Sequence, residues 1–173
     1  MPVLAARNGQ AERRIMMMNI TITPEDPRSL DAAVLMQELS ACLAVITGDG
    51  GQSSFHVEDV CVPGSLFVLA RNEKGEAVGC GAFRLLEEKT AEIKRMYVRE
   101  RYAGLGSRIL CCLEQQAAAM GYDVVRLETR KVNQGAVAFY MKNGYQVIPN
   151  YGRYRDRPEA ICFEKQLNHT SPL

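Results

Sequence analysis

Histidine is scarce in this 173-residue chain, which has only His56 and His169. The six cysteines, at 42, 61, 80, 111, 112 and 162, form no C-x-x-C pair. These shortages argue against a zinc site, which draws its ligands from closely spaced cysteine and histidine. Net charge is nearly absent too, at +1. No global field therefore recruits nucleic acid or a membrane surface, and any anion site must be local. No segment approaches the length needed to span a bilayer. The opening MPVLAARNGQAERRIMMMN lacks the apolar h-region of a signal peptide. Two phosphate-binding motifs are also missing. The Walker loop G-x-x-x-x-G-K-[ST] does not occur, and a dinucleotide fingerprint begun at Gly104 would need a glycine where Ile109 stands.

The length suits one domain with a real core. A composition of 47% apolar and 24% charged residues is that of an ordinary globular chain. Most cysteines sit inside apolar runs, which reads as reduced, buried thiols in a cytoplasmic protein. Residues 1–17 read as a disordered extension, 18–168 as a single domain and 169–173 as a short tail.

NITIT alternates and is rich in β-branched residues, so it reads as a strand ended by Pro24 and Pro27. From Ser29, the apolar residues Leu30, Val34, Leu35, Leu39, Cys42, Leu43 and Ile46 follow helical spacing, and Gly48 to Gly51 stop that helix. GDGGQSSFHVEDV is polar and loop-like. SLFVLA and EAVGCGAFRLL are strands joined by the hairpin signal RNEKG, and TAEIKRMYV is another strand. Leu105, Ile109, Leu110, Leu113 and Ala117 form one helical face that ends at Gly121. VVRLETR is a strand, NQGAVAFYMKNG a helix closed by Gly144, and YQVI and AICFEKQL the last strands. The order β-α-(α)-β-β-β-α-β-α-β-β predicts one α/β domain on a mixed sheet.

The stretch YVRERYAGLGSRIL places Gly104 and Gly106 between a strand and a helix. Glycines there let main-chain N–H groups converge, and the following helix points its positive end at the turn. Such a turn has the means to cradle a phosphate without a metal. A tight turn that needs small residues only for packing is the plainer alternative.

The turn Arg101-Tyr102-Ala103-Gly104-Leu105-Gly106 matches the Q/R-x-x-G-x-G/A signature of the GNAT N-acetyltransferase superfamily, which the chain resembles. AEIKRMYV is similar to that family's fourth strand, and NQGAVAFYMKNGY to its second cofactor motif. The resemblance runs from about residue 65 to 167 and is only architectural before that. It implies a GNAT-like acyl-CoA N-acyltransferase fold, with a mixed, mostly antiparallel sheet flanked by helices. It also implies acetyl-CoA as cosubstrate, with no metal, and an amine of a small molecule, amino acid or protein as acceptor. Nucleic acid and membrane are not expected partners, and a homodimer is compatible with the reading.

By the same resemblance, the cofactor is held by Met96, Tyr97, Val98, Arg101, Ala103, Gly104, Leu105, Gly106, Ser107, Asn133 and Tyr140. Val98 and Arg101 are closer together than in most family members, so Arg99 or Arg108 is an alternative to Arg101. Tyr140 matches the usual general acid. A phenol, with a reference pKa of about 10, stays protonated at neutral pH and can donate to a departing thiolate. The plainer alternative is a core aromatic beside Phe139 on an amphipathic helix. Glu92 stands where some members place a general base, with Glu128 and ordered water as alternatives. Asn133 reads both as a pantetheine contact and as a helix N-cap. Cys111 and Cys112 raise the thought of an acyl-cysteine, but they sit in a helix with no histidine close in sequence, which favours buried packing. The acceptor side is expected between GDGGQSSFHVEDV and PNYGRYRDRPEA. The arginines of the second segment (Arg153, Arg155, Arg157) read either as an anion clamp or as a solvated loop. A non-catalytic CoA-binding sensor is the alternative function, one in which Tyr140 would have no use.

Overall fold

Ser29 ends the first loop and starts the first helix, its hydroxyl accepting from Ala32 N–H at 3.3 Å. In the computed structural model, which describes residues 19–168, this helix is α1 (Leu30–Thr47), preceded by β1 (Thr21–Pro24). Gly48, at φ +78°, closes it in the left-handed region. Two single 3-10 turns, Gln52–Ser54 and Val57–Val60, occupy the polar loop that follows. Then come β2 (Leu66–Arg71), β3 (Ala77–Glu87), β4 (Thr90–Val98), α2 (Leu105–Ala119), β5 (Val124–Arg130), α3 (Gln134–Lys142), β6 (Gln146–Ile148) and β7 (Ala160–Gln166). The expected extension, the expected start at Met18 and the tail with His169 lie outside the described residues.

The strands form one sheet in the order β1-β2-β3-β4-β5-β7-β6. Every neighbouring pair is antiparallel except β4 and β5. This is the mixed, mostly antiparallel sheet that the sequence suggests. The continuous apolar run of β2 has a simple cause, since helices cover both faces. Phe67 and Leu69 pack with Leu35 and Met36 of α1 on one side. Val68 and Ala70 join Leu105, Ile109 and Leu113 of α2 on the other. Helix α2 sits close to the sheet because Gly81 has no side chain. A Cβ there would lie 2.6 Å from Met96 Sδ and 2.9 Å from Leu113 Cδ1.

Two expectations are corrected. Only Cys80 and Cys162 are buried, whereas Cys42, Cys61 and Cys111 are exposed and Cys112 is half-buried. In α2 the buried face is Leu105, Ile109, Leu110, Leu113 and Ala117. At 100° per residue, Cys111 falls well off that face and Cys112 sits at its edge. Second, α1 is long and apolar enough to cross a membrane by length and composition, with 18 residues of mean hydropathy 1.5. Here it lies on the sheet through Ala32, Leu35, Met36, Leu39 and Ser40.

Candidate active site

Parallel pairing between β4 and β5 covers only Thr90–Val124, Ala91–Val125 and Glu92–Arg126. Beyond those three pairs the strands run unpaired with one another, and a cleft opens between them. Ile93, Lys94, Arg95 and Met96 line it from β4, and Glu128, Thr129 and Arg130 from β5. Asn133, Ala136 and Tyr140 close one side from α3 and its cap. Leu39, Leu43 and Thr47 of α1 close another, with the loop residues Ser53, Ser54 and Phe55.

A β-bulge helps to open this gap. Cys80 faces Tyr97 and Ala82 faces Lys94, so Gly81 alone stands opposite Arg95 and Met96. Arg95 adopts φ +56°, a left-handed conformation that costs a non-glycine residue about 1 kcal/mol or more. Cys80 Sγ donates to the Arg95 carbonyl at 3.3 Å. Burial pushes the Cys80 thiol up to about 12, which keeps it a donor.

Side chains alternate along the bulged strand. Met96 and Val98 pack toward α2. Tyr97 turns to the α1 face, where its hydroxyl bonds Glu38 and burial raises its pKa to about 12. The Tyr97 side chain is therefore not part of the cleft's lining. Asn133 caps α3, its Oδ1 accepting from Ala136 N–H at 3.2 Å, and also lines the cleft. The capping role is thus observed, and it leaves the residue at the cleft wall. Tyr140 is 8% exposed, and burial pushes its phenol well above the ordinary value. It packs edge-on to Phe139 and Tyr145 while still lining the cleft.

The glycine turn stands beyond the cleft's lining. Gly104, at φ +93°, is the N-cap of α2 and supplies no side chain to the helix's first N–H groups. Gly106 packs on Phe139, where a Cβ would meet the ring at 3.2 Å. The turn is thereby joined to α3, one residue from Tyr140. Arg101, Ala103 and Gly104 are exposed, Gly106 and Ser107 are half-buried, and Leu105 is core. The short link after β4 is a 3-10 turn, Glu100–Tyr102. The alternatives to Arg101 are engaged elsewhere. Arg99 holds Glu38 through two bonds of 2.7 and 3.0 Å. Arg108 donates to the Ile20 carbonyl at 3.1 Å.

Glu92 is neither an edge nor a surface residue: it is 1% exposed. One carboxylate oxygen accepts from Arg84 at 3.0 Å and the other from the Tyr151 hydroxyl at 2.6 Å, with Lys94 Nζ 3.6 Å away. The residue does not line the cleft, and both of its oxygens are occupied. Glu128 does line it. Its Oε1 is buried without a hydrogen-bond partner, and burial raises its carboxyl above the usual range. Sequence reasoning missed Arg95, the other cleft residue with a buried, unpartnered atom, Nε. Its only sequence signal was a charge inside an apolar strand.

The two loops expected on the acceptor side do meet. Arg153 donates to the Ser53 carbonyl at 2.8 Å, and Tyr154 and Arg157 reach the cleft from the second loop. Lys94 Nζ donates to the Tyr154 hydroxyl at 2.8 Å.

The family model described as Acetyltransferase (GNAT) family matches residues 34–145. An IAA acetyltransferase of Azospirillum brasilense is 30% identical over 154 residues, spanning 87% of this chain and all of the relative. The structure of an acyl-CoA N-acyltransferase from Klebsiella pneumoniae is 31% identical with a TM-score of 0.73, covering 86% of this chain and 98% of the other. A GNAT family acetyltransferase from Elizabethkingia anophelis with acetyl-CoA bound shares the fold at 20% identity and a TM-score of 0.64, covering 86% and 99%.

Proposed function

The chain belongs to the GNAT family of acetyltransferases, and on that premise we propose that it moves an acetyl group from acetyl-CoA directly to a primary amine. The observation that carries the reading is the cleft between β4 and β5, whose pairing stops after three residue pairs. Main-chain groups of the bulged strand from Arg95 to Val98 have no partner strand on that side, which suits the amide-rich pantetheine arm. Gly104, with no side-chain cap on α2, suits the pyrophosphate. Leu105, Gly106 and Ser107 supply the first-turn amides, and Arg101 and Ala103 form the exposed rim. Asn133 completes the arm's site from the β5 side.

In the transfer, the neutral amine nitrogen attacks the thioester carbonyl carbon. The C–S bond breaks as the C–N bond forms, and the thiolate leaves. Tyr140 serves as the proton donor to that sulfur. Its raised pKa keeps the phenol protonated, and it lines the cleft where a non-catalytic module would have no need of a donor. The amine's proton goes to Glu128, directly or through water. A desolvated carboxylate is a stronger base than a solvated one, and this one has an oxygen free to accept. Glu92 acts instead as the buried counter-ion that fixes Arg84, Lys94 and Tyr151 behind the cleft.

The test is free-thiol release from acetyl-CoA in the presence of a panel of amines, together with the shift in melting temperature that acetyl-CoA gives. Stabilisation by acetyl-CoA and amine-dependent thiol release are expected. Absence of both would end the reading.

A further inference from the structure

Among the described residues, two buried side-chain atoms lack a hydrogen-bond partner: Arg95 Nε and Glu128 Oε1. Both belong to residues lining the one cleft, on its two separate strands. Buried polar groups are normally satisfied, so each orphan asks for a partner that the chain does not supply. The two are opposite in charge.

Arg95 is held rigidly. Its Nη2 donates to Ser40 Oγ at 3.0 Å, Nη1 reaches the Gly50 carbonyl at 3.4 Å, and the guanidinium lies 5.3 Å from the centre of the Phe55 ring. No carboxylate among the described residues lies within ion-pair distance of it, so a half-buried cation with a buried Nε stands without a counter-ion. Glu128 feels Lys94, Arg130 and Arg157 through space, but none of them hydrogen-bonds its Oε1. Arg130 Nε is 3.8 Å from its Oε1, beyond hydrogen-bond reach, and that guanidinium is committed to Glu159 at 2.9 Å.

A ligand that satisfied both walls would carry a cationic donor at one end and an anionic acceptor at the other. We propose, resting on the transferase reading above, that the acceptor is an amine bearing its own carboxylate, an amino-acid-type zwitterion. Its ammonium is set against Glu128 and its carboxylate against Arg95. A planar guanidinium whose Nε–H has no partner suits a planar carboxylate, which accepts in the guanidinium plane. The arrangement also orients the nucleophile. Loss of the ammonium proton to Glu128 leaves the neutral nitrogen beside the carboxylate that took it. The simpler account is that Arg95 only pins the loop after α1 to the sheet, through Ser40, Gly50 and Phe55.

The experiment uses sets of three compounds: an amino acid, its amide, and the amine lacking the carboxyl group. With CoA present, the amino acid should raise the melting temperature of the full chain and its amide should not. In turnover, kcat/KM for the free acid should exceed that for the amide by about 10- to 100-fold, the usual worth of a charge-assisted hydrogen bond. In Arg95→Met that ratio should fall toward one, and Arg95→Lys should restore part of it. A pinning role would change both substrates alike and leave the ratio where it was. Equal use of acid, amide and simple amine by the wild-type chain overturns the inference while leaving the transferase intact. A chain that acetylates nothing and gains no stability from acetyl-CoA instead overturns the transferase reading, and this one with it.

Discussion

Glu92→Gln and Glu128→Gln should have opposite signatures, because the two carboxylates sit in opposite surroundings. Glu92 is 1% exposed and carries the negative charge for Arg84 and Lys94. Removing one member of a buried pair costs about 3–5 kcal/mol. Here Arg84 keeps Asp59, and glutamine keeps the shape and can still bond Tyr151, so about 2–4 kcal/mol is expected. For a chain of this length that is roughly 4–16 °C in melting temperature. Glu128 is the reverse case. Its burial disfavours the charged form, and a group whose folded pKa is raised contributes stability below its unfolded pKa that is lost as pH rises through the folded one. Glu128→Gln should therefore be neutral or stabilising at neutral pH, with the gain fading in acid.

Its activity should fall by about 10²- to 10⁴-fold, the usual worth of general base catalysis. The rising limb of kcat/KM with pH, set by a carboxyl above the usual range, should disappear with it. Thermal melts from pH 4 to 8 and thiol-release kinetics at a temperature where both variants are folded would measure this. A folded, stable Glu92→Gln that has lost turnover, beside an active Glu128→Gln, would refute the assignment and return the base to Glu92.

Gly104→Asp should abolish stabilisation by acetyl-CoA while the free protein still folds, because a Cβ at φ +93° and a negative charge both oppose the phosphate; stabilisation as strong as wild type would place the phosphate elsewhere. Tyr140→Phe should lower kcat by about 10²- to 10⁴-fold with little change in acetyl-CoA affinity, since the ring still packs and only the donor is lost. Cys111→Ala should leave kcat unchanged and double-reciprocal plots should intersect, as Cys111 is exposed and direct transfer forms no acyl-enzyme; parallel plots with a burst would contradict this. Gly81→Ala should cost about 1–3 kcal/mol in denaturant melts, because its Cβ would strike Met96 and Leu113.

The elements were legible because each rests on a local signal. Ser29 and Gly48 bracket α1, the spacing from Leu105 to Ala117 marks the buried stripe of α2, and the run in β2 reports burial on both faces. The glycine turn was legible for the same reason, since a left-handed N-cap requires a residue that the chain itself displays. The cysteines were misread because an apolar neighbourhood in sequence does not fix an angle on a helix. Cys111 follows Leu110 directly, yet it points 100° away from it.

Charges resisted reading because their meaning lies in partners distant in sequence. Glu92, Lys94 and Arg95 follow one another within a single strand, and nothing local separates their roles. Glu92 is neutralised by Arg84 across the sheet and hydrogen-bonded by Tyr151 from the last loop, 59 residues away. Arg95, three residues on, sits at the bulge where β4 has lost β5, and its counter-charge is missing. The bulge is the physical divide between them. Before it, a charged side chain belongs to a closed sheet and must find its partner within the chain. After it, the strand borders a gap, and a charge without a partner there is one that the fold can leave for a ligand.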